Sequence, residues 1–346
     1  MISEQEKKQL LDLYAHCQVY QGELHDHSQS GGTSDGKCTL EEWISQMQAL
    51  KMDFAAILDH RQIRHMYLPK WQDGLFIPGS EPGTAISDCP AEDNHMHYNI
   101  LLPHRDELEK LLLQFPEYEF SGGVEGHFIY PSFTRERFGQ LIDAILSRGG
   151  FFVHPHPTSV MKSENPLDYW FRDETGMEVI YGTPESDETQ KNYALWMKLL
   201  SLGKRIFACA GGDGHAVPSA AALTTLYAPE KSAAAFLPIL RRGDFSCGGV
   251  GVRMCMGETR SGGQCDFTGK RLIVCVSDFH ESLRDENHVY RLDLLNDQGI
   301  VYSEKISCTE PHFISLNTEP CAFYRAEVID ETKNLRIAIG NPIWNK

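Results

Sequence analysis

An α/β fold followed by a small all-β unit is what this 346-residue sequence predicts, and three observations lead there. Up to about residue 255, strand-like apolar runs alternate with amphipathic helical stretches over short connections, the pattern of parallel strands in a barrel or open sheet. Over residues 256–346 the helical periodicity stops, and short, half-alternating runs between turn-rich pieces suggest an antiparallel sandwich. Histidines and carboxylates recur where the predicted strands end, so a barrel would deliver them to one rim.

In chain order, QVYQGELH reads as a strand. Thr39 and Glu42 then form a capping box that opens a helix with Trp43, Ile44, Met47 and Leu50 on one face. DFAAIL, LFIPG and YNILL follow as strands. A helix from about Thr134 buries Phe138, Leu141, Ile142 and Ile145 and stops at Gly149-Gly150, after which FFVHP is a strand again. MEVIYG is the next strand, a helix runs from about Asp187 through Trp196, Leu199 and Leu200 to Gly203, and RIFACAG closes the unit. Gly-rich MGETRSGGQCD is the joint to the tail strands RLIVCVS, VYRLDLL, HFISL, AFYRAEVI and LRIAIG. The expected division is residues 1–255 and 256–346.

Composition narrows the function classes. A formal net charge of -16 argues against a binder of long nucleic acid or anionic membrane, which needs a basic surface. No run of about 18 apolar residues appears and the start MISEQEKKQ is polar, so a cytoplasmic protein is expected. The 10 cysteines are scattered without a C-x-x-C pair, which indicates neither a zinc ribbon nor a disulfide framework.

The candidate site starts at His25 and His27 in GELHDHS. Residues two apart on a strand face the same side, roughly 6.6 Å apart at Cα, so one cation can take both. Asp213 and His215 in CAGGDGH are related in the same way and would serve one metal or two neighbouring ones. Between them, His60 in AAILDHR, Glu81 in FIPGSEPG, His97 in MHYNILLP and His154 in FFVHPHP each close or follow an apolar run. One such pair is commonplace in a core; an ordered series at strand ends is how a multi-metal hydrolase is built. His97 is preferred to His95 because it directly precedes the apolar run, and His154 to His156 because it ends the buried strand. His156 is then a substrate or solvent contact, and His65 and His127 are surface or loop residues. Asp26 and Asp59 should point to the opposite face and orient imidazoles. Glu178 and Glu185 follow a strand and either line the mouth or belong to a solvated loop.

The order H-x-H, SDG, DH, a glutamate after PG, a further histidine, HP and D-x-H resembles the PHP (polymerase and histidinol phosphatase) family of metal-dependent phosphoesterases. Here it reads His25/His27, Ser34-Asp35-Gly36, Asp59-His60, Pro78-Gly79-Ser80-Glu81, His97, His154-Pro155 and Asp213/His215, over about residues 18 to 255. The tail, through FYRAEV and AIGNPIW, is similar to the β-sandwich that follows the barrel in some bacterial members. The resemblance implies a distorted (β/α)7 barrel, a first metal on His25, His27, Glu81 and Asp213, a second on Glu81, His97 and His154, and a third on Asp35, His60 and His215. Glu81, Asp213 and His215 are the implied catalytic groups. Two departures stand out: the loop SQSGGTSDG puts three extra residues between His27 and Asp35, and Gly211-Gly212-Asp213 has glycine where the family has serine.

Three divalent cations bring six positive charges against three from Asp35, Glu81 and Asp213, and that surplus would draw a phosphate ester to an acidic protein. The expected chemistry is attack of metal-bound hydroxide on phosphorus, with two or three ions of zinc, manganese or iron. The expected partner is a small phosphorylated molecule or nucleotide. Arg61, His156 and Lys162, with Arg64 and Arg135, are candidate substrate contacts. Two other readings compete: an exonuclease on short oligonucleotides, and a non-catalytic regulatory or carbohydrate-binding protein on the same scaffold.

Overall fold

The computed structural model describes residues 2–88, 95–118, 131–160, 172–216 and 219–346. Among the described residues, seven neighbouring strands of the main sheet frame the candidate residues: β1 (Gln18–Asp26), β2 (Phe54–Ile57), β3 (Phe76–Ser80), β4 (Asn99–Leu101), β5 (Phe151–His154), β6 (Gly176–Tyr181) and β7 (Phe207–Gly211). They hydrogen-bond in the order β7-β6-β5-β4-β3-β2-β1. The expected helices lie between them. Leu40–Ala49 carries the Thr39–Glu42 capping box, Arg135–Ser147 is capped by Thr134, and Asp187–Ser201 is capped by Ser186.

Two expectations are corrected. The sheet is not all parallel: β4 runs antiparallel to both β3 and β5. The chain reaches β4 by way of Gly83–Ile86 and His95–His97, which pair antiparallel, instead of through the long crossover that parallel neighbours require. Nor do the strands close as a barrel, since no closed sheet forms among the described residues. Beyond the end of β7, two backbone hydrogen bonds, from Asp213 N to His25 O and from His27 N to Gly214 O, reach across to β1.

On its other side β1 pairs antiparallel with β8 (Thr224–Ala228), and β8 with β9 (Phe245–Gly248). The helix between these strands, Ala233–Arg242, ends in Gly243 at φ 70°, a left-handed position suited to glycine. The longer strands that follow among the described residues are β10 (Gly251–Met256), β11 (Arg271–Ser277), β12 (Tyr290–Asn296), β13 (Gly299–Ile306), β14 (His312–Asn317), β15 (Phe323–Asp330) and β16 (Leu335–Asn345). The long sheet continues through β9-β16-β15-β12-β13, while β10, β11 and β14, with Thr259–Arg260 at the edge beside β10, form a second sheet. Val252, Met254 and Met256 share one core with Val274, Leu292 and Val328 of the tail. Phe323, Ile339 and Trp344 pack instead with Phe207, Leu237 and Phe245 of the first half. No helix among the described residues is long and apolar enough to cross a membrane.

Candidate metal centre

The ends of these strands converge on the carboxylate of Glu81, which is fully buried one residue beyond β3. Its Oε2 lies 3.2 Å from His25 Nε2, 3.2 Å from His27 Nε2 and 3.0 Å from His60 Nδ1. Its Oε1 lies 2.9 Å from His97 Nδ1 and 3.0 Å from His156 Nε2. Asp213 approaches from the opposite side, with Oδ1 2.9 Å from His27 Nε2 and 3.4 Å from His25 Nε2. His215 Nε2 stands 3.1 Å from Asp35 Oδ1, and His60 Nε2 3.6 Å from Asp35 Oδ2. Donor atoms lie within 4.8 Å of one another in three sets: His25, His27, Glu81 and Asp213; His60, Glu81 and His97; and His27, Asp35, His60 and His215. The first set is the deepest, and exposure rises toward His215 and Asp35.

Local backbone explains the convergence. His25 and His27 straddle the last residue of β1, and their Nε2 atoms come within 3.2 Å. His97 precedes β4 where His27, His60, Glu81, Asp213 and His215 follow their strands, yet reaches the same rim because β4 runs in reverse. Asp213 and His215 lie past β7, on a turn in which Asp213 has φ 49°.

The electrostatics are those of a caged carboxylate. Burial alone would push Glu81 upward, but His25, His60 and His97 around it hold it well below the usual carboxylate range. Burial works to lower His25, and the opposing charges of Glu81, Glu178 and Asp213 carry it well above an ordinary imidazole. For His27, burial is likewise outweighed by Asp213 and Glu81, and it rises to about 9. Asp213 is lowered despite its burial, chiefly by His25 and His27. Without a cation, these carboxylates keep their charge by holding protons on the neighbouring rings.

One expected residue does not join the cluster. His154 is buried with its ring edge-on to Phe152, centroids 4.8 Å apart, and burial drives it down to about 3. The place expected for it beside Glu81 is taken by His156, whose ring also stacks on His25. The chain passes Pro155 and enters a left-handed turn at His156, φ 27°, which returns the second imidazole to the centre. Arg61 is buried just after His60, with φ 50° and its N–H bonded to Glu81 O. Arg64 is exposed beside the Gly32 loop. Lys162, His127 and the side chain of His95 lie outside the described residues.

Several neighbours differ from expectation. Asp59 orients none of these imidazoles; it accepts from Ser28 N at 2.6 Å, Ser28 Oγ at 2.8 Å and the Ser30 hydroxyl, and faces His65 Nδ1 at 3.2 Å. It thereby holds the start of the loop that carries Asp35, and His65 is buried instead of lying at the surface. Asp26 packs against Glu23, and burial raises both carboxyls. Glu185 is exposed, but Glu178 lies within β6 and is buried. Tyr181, which the sequence did not single out, donates its hydroxyl to Asp213 Oδ2 at 2.7 Å. Strand alternation would put Glu178 and Tyr181 on opposite faces. The β6–β7 register slips by one residue at Val179, which brings both to the centre.

Fold and side chains together define an α/β protein with a buried, histidine-rich centre of nitrogen and oxygen donors. No protein-family model matches the chain, and no curated protein matches it. Solved structures do. One is a two-domain protein from Bacteroides vulgatus described as containing a predicted PHP-like metal-dependent phosphoesterase, at 12% identity and TM-score 0.43 over 95% of both chains. Another is an amidohydrolase from Chromobacterium violaceum with bound sulfate and no metal, at 17% identity and TM-score 0.39 over 56% of this chain and 87% of that one. A third is Endonuclease Q in complex with a duplex bearing an abasic lesion, at 10% identity and TM-score 0.41 over 65% of this chain and 57% of that one. These identities, 10 to 17%, are too low to assign a substrate.

Proposed function

We propose that this protein is a metal-dependent hydrolase of phosphate esters, acting on a small phosphorylated molecule or nucleotide. The observation that carries the reading is the carboxylate of Glu81 with five imidazole nitrogens 2.9 to 3.2 Å from its two oxygens. Such a set in a buried site is what two or three cations would replace protons to occupy. The donors are imidazole and carboxylate without thiolate, a mixture that suits zinc, manganese or iron.

His25, His27, Glu81 and Asp213 would hold one ion; Glu81, His97 and His156, with His60 near, a second; Asp35, His60 and His215 a third. When bound, such ions lower the pKa of water to about 7 and neutralise charge on a phosphoryl group. The chain's own residues prepare that chemistry. Tyr181 fixes the Asp213 carboxylate through Oδ2, which leaves Oδ1 toward His25 and His27. Ser159 Oγ pairs with His156 Nδ1 at 2.9 Å and leaves Nε2 toward Glu81. The outer set, with Asp35 and His215 partly exposed, faces solvent and gives an ester its entry. The candidate donors all fall between residues 25 and 215, consistent with residues 1–255 as the catalytic unit and 256–346 as an accessory one.

The test is turnover of a panel of phosphomonoesters and dinucleotides with added manganese, alongside elemental analysis of protein purified without chelator. Asp213→Asn is expected to lower both metal content and turnover. Metal without turnover on any substrate would favour a binding protein on the same scaffold; unchanged turnover in the variant would count directly against the centre.

A further inference from the structure

We infer that Glu178 is a positioning residue: it selects the ring nitrogen that His25 presents to the centre and ties the main chain at His156 to the same point. The inference rests on the proposal that the centre binds divalent cations.

Glu178 is buried in β6 and takes no part in the three donor sets. Its Oε1 lies 2.8 Å from His25 Nδ1, and its Oε2 accepts the main-chain N–H of His156 at 2.8 Å. Asn99 Nδ2 stands 3.4 Å from Oε1. One carboxylate therefore links β1 to the turn after β5. The fold makes room for it at Gly211, where a Cβ would sit 2.0 Å from Glu178 Oε1.

A carboxylate only accepts, so Nδ1 of His25 must carry the hydrogen, and a neutral ring then has its lone pair on Nε2. That nitrogen faces His27 Nε2, Glu81 and Asp213. With a cation held at Nε2 this would be a carboxylate–imidazole–metal arrangement, with the carboxylate fixing both tautomer and ring orientation.

Glutamine at this position has the same shape but one acceptor and one donor. The N–H of His156 cannot reverse, so the amide oxygen must turn to it, and the amide NH2 then meets His25 Nδ1. His25 has to accept there and move its hydrogen to Nε2, where it points into the space a cation needs. The other amide rotamer sets two donors against each other at His156. Alanine removes the acceptor without supplying a donor, so His25 keeps access to the productive tautomer.

The geometry therefore gives an order that packing or charge alone would not. Zinc affinity at the deepest set falls roughly 10-fold in Glu178→Ala and toward 100-fold in Glu178→Gln, the span usual for groups that orient ligands. A space-filling role predicts the reverse order, because alanine leaves the larger void, and a purely electrostatic role predicts equal losses.

The experiment is a calorimetric zinc titration of the chelator-treated full chain in the three forms, with circular dichroism to verify the fold. Glutamine binding as well as or better than alanine overturns the inference. A wild type that takes up no zinc overturns instead the proposal of a metal centre. A second measurement needs no variant: long-range 1H–15N correlation in the zinc-loaded wild type should show His25 protonated at Nδ1 and shifted by metal at Nε2. An Nδ1 without its hydrogen sinks the assignment.

Discussion

Glu81→Gln keeps the side-chain volume at the middle of the centre and removes the charge that five imidazoles face. At separations of 2.9 to 3.2 Å, each protonated ring gains about 5 kcal/mol from that charge at an effective dielectric of about 20. Desolvation offsets most of this, and removing one partner of a buried pair costs about 3–5 kcal/mol in practice. With an unfolding entropy of about 2.1 cal/mol/K per residue over 346 residues, that loss corresponds to a fall in Tm of roughly 4–7 °C in chelator. The effect depends on pH. A histidine raised in the folded state contributes stability below its unfolded pKa of about 6.5 and loses it as pH rises through the folded value. The rings that Glu81 helps to raise include His25, His27 and His156, so the penalty should be full at pH 6 and shrink above pH 9. Because Glu81 belongs to two of the three donor sets, the variant should also lose at least one ion per chain on metal titration. Scanning calorimetry in chelator at pH 6 and pH 9.5, with elemental analysis of the reloaded protein, reads both. An unchanged Tm at pH 6 with unchanged stoichiometry refutes the reasoning.

Three more outcomes can be checked. Asp59 is held at about 2, burial being outweighed by His65 and the bonds from Ser28 and Ser30, so its ionised form contributes about 2 kcal/mol above pH 4, lost as pH falls through 2. Urea melts of Asp59→Asn at pH 7 should show that loss, and an equal midpoint would exclude it. Because His25 and His27 both hold protons above neutral pH, His27 up to about 9, a cation must displace them, so apparent zinc affinity should climb at least tenfold per pH unit from pH 7 to 8; a flat profile in chelator-buffered titration would contradict the cluster. In the tail, Glu327 pairs with buried Arg325, accepts from Arg336 Nε at 2.8 Å and from Tyr193 OH at 2.7 Å. Glu327→Gln should cost about 3–5 kcal/mol by stranding the guanidinium, and a denaturation midpoint like the parent's would refute it.

Strands with strong apolar runs and helices with capping residues were legible, because Thr39, Thr134 and the unbroken runs FAAI and FFVH act through local chemistry. The direction of β4 was not, since nothing in YNILL records which way its neighbours run. The gathering of His25, His27, His60, Glu81, His97, Asp213 and His215 followed from their positions beside strands. His154 and His156 were exchanged because the decisive event is a backbone turn after Pro155, which puts the residue beyond the strand end at the centre. Tyr181 was hidden by the register slip at Val179, as period-two counting fails across a bulge, and Glu178, read as following its strand, lies within it. Strands β8 and β9 escaped notice because LTTLYA and DFSCG lie amid residues of mixed character.

The position of β16 bears on how the chain folds. It lies between β9 and β15, so β9 obtains its second neighbour only from residues 338–340. Until that stretch has left the ribosome, the half bearing the centre carries an open ladder of unmet amide and carbonyl groups. Contacts of such sequence separation form slowly. A fragment ending before Leu335 should therefore be prone to edge-on association, even though every candidate donor is already present in it.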